Sequence, residues 1–291
     1  YALKMRHILI TGVSSGIGYA CLKYFIAQGC HVFGSVRKAE DATRLSETFG
    51  VNYTPLLFDV TDSEAIQMAV EAVKAELGAG ENLFGLVINA GIQIPGPILF
   101  LTREEMRYQF EVNVFGGLEV IQRFVPLLRE THQSKPGRIV HVGSTSAAIT
   151  LPFTSFYSAA KSAMHSLCDT LRRELMIYGI DVVDIYVGPV NNDLVAKVAS
   201  YKERYKDTDY YPAITMRLDG ALKKNIPNGL LPEAVAAAIF GSLTSPSPKH
   251  RYALNKDWFN TWFLPTMLPH RLLDRIIAKK WKMRPADFGK K

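Results

Sequence analysis

The chain has 291 residues, 48% of them apolar, which is enough to bury one large core, and no internal repeat or low-complexity linker divides it. Its formal net charge of +7 sits almost wholly in the tail: from 271 to 291 eight Lys or Arg stand against Asp274 and Asp287, so the charge gives no support for a nucleic-acid partner. The three cysteines, Cys21, Cys30 and Cys168, are odd in number and lack metal-ligand spacing; with no leader ahead of the first strand and no apolar run of roughly 18 residues, the expectation is buried thiols in a cytoplasmic protein that needs no metal.

Residues 7–10 read as a short apolar strand, Thr11-Gly12-Val13-Ser14-Ser15-Gly16-Ile17-Gly18 follows at once, and 19–29 reads as a helix. Strand, glycine-rich turn and helix in that order set backbone N–H groups and the positive helix end against a diphosphate, while the missing side chains let the backbone come close. The G-x-x-x-G-x-G spacing differs from the commoner G-x-G-x-x-G, so the order of elements carries the argument; the alternative is a tight turn with no ligand. A second strand, 30–37, ends about twenty residues after the glycine turn, where a dinucleotide fold meets the adenosine ribose. An acidic residue there suits NAD, and an arginine suits the 2′-phosphate of NADP. This strand ends on Val36 and Arg37, with no carboxylate before Glu40, which favours NADP(H) over NAD(H). The planar guanidinium can bind phosphate bidentately, and Ser14 and Ser15 offer further hydroxyl donors.

Further strand signals near 53, 84, 138 and 181 alternate with helical patterns over 63–77, 103–129, 157–178 and 232–242. The alternation implies an α/β fold, a doubly wound parallel sheet with helices on both faces. Residues 254–258 add a last strand or lead into the tail. Ser144 falls just past the apolar run 138–142, at a strand end of the kind where open sheets bind ligands. Tyr157 and Lys161 are four apart, so on a helix they project from one face. A neighbouring ammonium favours the phenolate and lowers a phenol pKa from its usual value of ~10, which lets the group pass protons. The trio points to a carbonyl-reducing or alcohol-oxidising site; the bland alternative is a packed tyrosine with a solvated lysine.

Taken with Asp59-Val60 after the third strand, Asn89-Ala90-Gly91 after the fourth and Asn113 in Asn-Val-Phe-Gly, these motifs run in order from residue 11 to about 192 and resemble the short-chain dehydrogenase/reductases. The resemblance implies a Rossmann-like catalytic domain over 1–255 in which Asp59 and Val60 hold the adenine and Asn89, Ala90 and Gly91 brace the cofactor side of the sheet. It implies Tyr157 as general acid/base, Ser144 bonded to the substrate oxygen, Lys161 on the nicotinamide ribose, and Asn113 positioning a water in a proton relay. Where relatives have Pro-Gly followed by Thr, this chain has Gly188-Pro189-Val190-Asn191-Asn192; Pro189 and Val190 are expected to close over the cofactor, with Asn192 at the threonine position. More loosely, Asn-Val-Phe-Gly and the long carboxy-terminal extension resemble the branch of 17β-hydroxysteroid and retinol dehydrogenases and acyl-dihydroxyacetone-phosphate reductases, implying a hydrophobic ketone or alcohol of steroid, retinoid or acyl-lipid type. A homodimer or homotetramer paired through 103–129 and 157–178 is implied in the same way.

Residues 194–231, with Tyr201, Tyr205, Tyr210, Tyr211 and Met216, are expected to form a substrate lid, opposed by a wall over 92–98; an exposed helical insertion is the alternative. The extension, 256–291, carries all three tryptophans, Trp258, Trp262 and Trp281, and a helical stripe of Leu272, Leu273, Ile276 and Ile277 backed by Arg271, Arg275 and Lys279. That stripe either packs on the domain near the substrate or makes peripheral contact with an anionic membrane. Two readings from other classes remain at this point, a non-catalytic NADP(H)-binding redox sensor and a membrane-peripheral scaffold.

Overall fold

The computed structural model describes residues 5–191, 200–225 and 227–287. Each apolar run becomes a strand: β1 (Arg6–Ile10), β2 (Cys30–Val36), β3 (Tyr53–Leu57), β4 (Gly85–Ile88), β5 (Arg138–Ser144), β6 (Asp181–Val187) and β7 (Arg251–Leu254). All pair in parallel in the order β3-β2-β1-β4-β5-β6-β7. The order reverses between β1 and β4, so the crevice beyond their carboxyl ends is the ligand position of an open parallel sheet.

Strand alternation divides the core in two. Ile8 and Ile10 pack with Phe25 of α1 (Gly16–Ala27), Leu45 of α2 (Ala39–Phe49) and Val235 and Ile239 of α8 (Pro232–Thr244). Leu9 and Phe33 point to the other face, with Ile66 of α3 (Ser63–Glu76), Ile121 and Phe124 of α5 (Gly117–Leu128) and Met164 of α6 (Ser155–Glu174). Each such side chain contributes roughly 1.5–3 kcal/mol on burial. Local signals set the helix starts: Asp62 accepts from Ala65 N at 3.0 Å ahead of α3, and Thr102 and Glu105 cap each other's backbone ahead of α4 (Arg103–Phe110).

Several boundaries differ from the sequence reading. The first helix begins at Gly16 rather than 19, because glycines that read as turn here make the first helical turn. The expected helix 103–129 is split by a π-helical turn, Glu111–Gly116, between α4 and α5. The last strand is Arg251–Leu254, not 254–258, and α2 answers to no expected helix. In the lid region lie a 3-10 turn, Ser200–Tyr205, and α7 (Tyr211–Gly220); the extension holds a π-turn, Phe259–Phe263, and α9 (His270–Lys280).

Candidate active site

The glycine turn is shaped before any ligand arrives. Gly12 and Gly16 take φ of +73° and +60°, a region that favours glycine. At Gly18 a Cβ would lie 2.0 Å from the Gly12 carbonyl oxygen, so no side chain is admitted there. Thr11 Oγ1 accepts from Asn89 N (2.9 Å) and Ala90 N (3.0 Å), and Asn89 Nδ2 donates to the carbonyls of Thr11 (2.9 Å) and Gly12 (3.0 Å). The Gly12 N–H donates to Ser35 Oγ at 2.9 Å. Gly16, Ile17 and Gly18 form the first turn of α1, and Ser15 at its N-cap makes no side-chain cap bond, which leaves first-turn N–H groups to an incoming anion. A bare, glycine-lined helix start at the sheet's switch point suits a dinucleotide diphosphate.

At the end of β2, Val36 is buried and Arg37 is largely exposed, 3.6 Å from Asp59 Oδ2. Asp59 is held in turn by Thr61, whose N–H and hydroxyl donate to Oδ1 at 3.0 and 2.8 Å. Val60 lies buried beneath Gly116, where a Cβ would come 2.5 Å from the Val60 carbonyl oxygen. The sequence reading missed Arg44: it donates to Ser14 O at 3.3 Å and to Asp41 at 2.6 Å, bringing a second guanidinium to the glycine turn. Recognising α2 was the signal needed to find it.

Ser144 ends β5, and Tyr157 and Lys161 rise from the start of α6. Ser144 Oγ accepts from Ser146 N at 3.1 Å, and its hydroxyl lies near enough to the Tyr157 phenol to favour the phenolate. Lys161 is buried, donates to Val142 O at 3.0 Å, and holds its Nζ 6.0 Å from the Tyr157 ring centroid. This corrects one expectation. Burial raises the Tyr157 pKa above its usual value, opposed by the nearby Ser144 hydroxyl rather than by the lysine. Burial also lowers Lys161, to about 8, with Asp184 as the largest opposing influence.

Asn113 sits in the π-turn, a distortion frequent at functional sites, and its amide pairs with the backbone of Ile92, accepting from N at 2.9 Å and donating to O at 2.8 Å. A Cβ on Gly91 would lie 2.8 Å from Asn113 Oδ1 and 3.6 Å from Lys161 Nζ. The structure therefore draws together 89–91, Asn113, Ser144, Tyr157 and Lys161 from four separate stretches of chain. Pro189 and Val190 lie at the end of β6, tied to Leu230 by Leu230 N to Pro189 O (2.8 Å) and Asn191 N to Leu230 O (2.9 Å). Asn192 and the start of the expected lid, 194–199, lie outside the described residues.

The described part of 194–231 docks rather than projecting into water. Tyr205 is buried, its hydroxyl reaching Pro95 O at 3.4 Å, and Gly96 makes room for it. Ala213 and Ile214 join Phe153 and Tyr205 in a small core that Met283 of the extension also touches. A cavity of about 460 Å³ lies between Pro97 and Ile98, the turn 150–155 just ahead of Tyr157, Tyr210 of the lid, and Ile277 and Ala278 of α9. The extension thus packs on the domain beside the expected substrate region, with Trp281 buried and Arg217 5.4 Å from its ring. Trp258, Phe259, Phe263, Met267, Leu272 and Ile276 nevertheless remain exposed. Among the described residues no helix is long and apolar enough to cross a membrane.

Residues 6–203 match the family model described as short chain dehydrogenase. The chain is 39% identical to an NADPH-dependent 3-dehydrocapnine reductase of Ornithobacterium rhinotracheale, over 96% of this chain and 98% of that protein. It is 29% identical to a 3-ketodihydrosphingosine reductase of Bacteroides thetaiotaomicron, over 88% of this chain and 94% of the other. A short-chain dehydrogenase from Streptomyces avermitilis superposes with a TM-score of 0.75 at 25% identity, covering 97% of both chains.

Proposed function

We propose, for a chain that belongs to the short-chain dehydrogenase family, that this oxidoreductase uses NADPH to reduce the ketone of a hydrophobic, acyl-chain substrate, with Tyr157 as proton donor. The observation that carries the reading is the Tyr157 phenol, set beside Ser144 at a strand end with Lys161 one turn behind it and the glycine cradle alongside.

NADPH, when bound, supplies the hydride; Gly12, Ser14, Ser15, Gly16, Ile17 and Gly18 would hold its diphosphate, Arg37 its 2′-phosphate, Asp59 and Val60 its adenine, and Asn89 to Gly91, Pro189 and Val190 the nicotinamide end. Ser144 bonds the substrate oxygen and fixes its distance from the phenol. Tyr157 protonates that oxygen as negative charge develops, and its raised pKa keeps the proton in place until then, which suits reduction. Lys161 presents an ammonium to the ribose and stabilises the phenolate left behind. Asn113 fixes Ile92 and so the wall facing the substrate.

The lid residues Tyr205, Tyr210 and Ile214, together with α9, favour an apolar chain, and the relatives named for 3-dehydro and 3-keto compounds support an acyl-lipid ketone over a steroid or retinoid. The exposed aromatic residues of the extension, with Arg271, Arg275, Lys279 and Lys280, favour peripheral contact with an anionic bilayer from which such a substrate would enter. Tyr108 and Phe115 expose large apolar surface along 103–128, which supports pairing of two copies there.

The test is a screen of acyl-chain 3-ketones, steroids and retinoids with NADPH, following absorbance loss as the nicotinamide is oxidised. Turnover of the acyl-chain ketones is expected. Tyr157→Phe should then cut kcat by roughly 10²–10⁴ with NADPH affinity retained. Substantial residual turnover would remove Tyr157 from its role.

A further inference from the structure

Behind Lys161, away from the glycine turn, lies a buried ionisable cluster that the proposed reaction does not use. On β5, His141 stands opposite Asp184 of β6 in the strand register, and His141 Nδ1 donates to Asp184 Oδ1 at 2.8 Å. The second carboxylate oxygen accepts from His165 Nδ1 at 2.6 Å. His141 is 2% exposed and Asp184 4%, so this charge sits in the interior. The room is specific: a Cβ on Gly143 would lie 2.9 Å from Asp184 Oδ1, and residue 143 is a glycine.

The cluster is joined to the active site by helix geometry. Tyr157, Lys161 and His165 are spaced four apart along α6 and share one face, which lies over β5 and β6. His165 grips Asp184. One turn earlier Lys161 grips the carbonyl of Val142, the residue between His141 and Gly143. We propose that Asp184, clamped between His141 and His165, is a positioning residue that acts as the buried counter-ion of Lys161, holding it as an ammonium aimed at the ribose.

An unpaired ammonium in the interior is expensive, and a paired one needs a charge that cannot itself be neutralised cheaply. Burial pushes the Asp184 carboxyl up, but the two histidine bonds outweigh it and hold the group below the usual carboxylate range. His141 stays neutral because burial lowers it. The groups that face Asp184 are His141 on β5, Lys161, His165 and the Cys168 thiol on α6, and, through His165, Tyr186 on β6. Arg251 of β7 is engaged with Asp169. His141, Cys168 and Asp184 do bring ligand atoms within 4.8 Å of one another. The histidine nitrogen is already bonded to the carboxylate and Lys161 lies close by, so the cluster holds an internal cation rather than a metal.

The proposal rests on the reading of Lys161 as the cation that holds the cofactor ribose, and its test needs no substrate. NADPH affinity of the full chain is measured by fluorescence titration from pH 6 to 10. Wild type should bind and weaken along an alkaline limb as Lys161 loses its proton. In Asp184→Asn, which keeps the shape and, with one of the two histidines taking its other tautomer, both hydrogen bonds, that limb should move to lower pH by about one unit or more, the size expected for removing an adjacent opposite charge. Asp184→Glu, which keeps the charge, should restore it, whereas a purely structural role would make the longer side chain the worse variant. Should Asp184→Asn fail to fold, the double variant His141→Leu, Asp184→Leu removes the charge and its fully buried donor together, while His165 keeps its bond to the Tyr186 hydroxyl; the same displacement is expected. An unmoved limb in a folded variant overturns the counter-ion role. No NADPH binding by wild type, or a wild-type profile without the limb, overturns the ribose reading and this inference with it.

Discussion

Replacing Lys161 by methionine should make the cofactor-free protein more stable while destroying its function. Burial lowers the lysine from 10.5 to about 8. At about 1.4 kcal/mol per unit, this means the ammonium costs the fold about 3 kcal/mol below pH 8. The sign follows from proton counting: between about 8 and 10.5 the unfolded chain keeps a proton that the folded protein has released, so this contribution to stability rises with pH across that window. Methionine fills a similar volume without the charge, but it leaves the Val142 carbonyl without its partner, a loss of about 1 kcal/mol. Lys161→Met should therefore gain roughly 2 kcal/mol at pH 7, and the gain should vanish by about pH 10. Urea unfolding of both proteins without NADPH at the two pH values reads this directly, since bound cofactor would stabilise the wild type by mass action. A variant less stable than wild type at pH 7, or a difference that ignores pH, would refute the account of Lys161 as an ammonium held against its burial.

Arg37→Ala should weaken NADPH binding about tenfold or more, the scale of a charge-assisted hydrogen bond, and leave NADH unchanged; equal losses in paired titrations would dismiss the 2′-phosphate assignment. Val36 is the poorer position to test, because it is buried and a carboxylate there would upset the core. Gly18→Ala drives a methyl to 2.0 Å from the Gly12 carbonyl, so thermal denaturation should show a loss of roughly 1–3 kcal/mol and NADPH retention should fail; a normal binder would mean the turn yields easily. Gly96→Ala places a methyl 2.1 Å from the Tyr205 hydroxyl and should unseat the lid, raising KM several-fold at constant NADPH affinity. An unchanged KM would take the lid out of the substrate site.

Much of this architecture was readable from local pattern. Four- to seven-residue apolar runs such as 7–10 and 138–142 became strands because both faces of the sheet are covered, and Tyr157 and Lys161 share a helix face because their spacing requires it. What escaped was nonlocal or polar. Helix α2 seats only Ala42, Leu45 and Phe49 against the core, a stripe of three in an otherwise polar run. The π-turn at Asn113 inserts no residue type that announces it, since the hydrophobic period runs on into α5. The short edge strand β7 starts at an exposed arginine. His141 and Asp184 are partners through strand register 43 residues apart, which no single window displays. The raised phenol escaped for another reason: a spacing of four sets direction but says nothing of desolvation, which outweighs the influence of Ser144 at Tyr157.

The Thr11–Asn89 clasp bears on how quickly the crevice can be occupied. One hydroxyl and one amide join the ends of β1 and β4 by four hydrogen bonds. The gap between these strands is therefore set during folding, and the diphosphate turn does not have to become ordered at each encounter. Preorganisation of this kind removes the entropy of loop ordering from the association step, so capture of the dinucleotide is expected to be limited by diffusion and phosphate steering rather than by a conformational rearrangement of the turn.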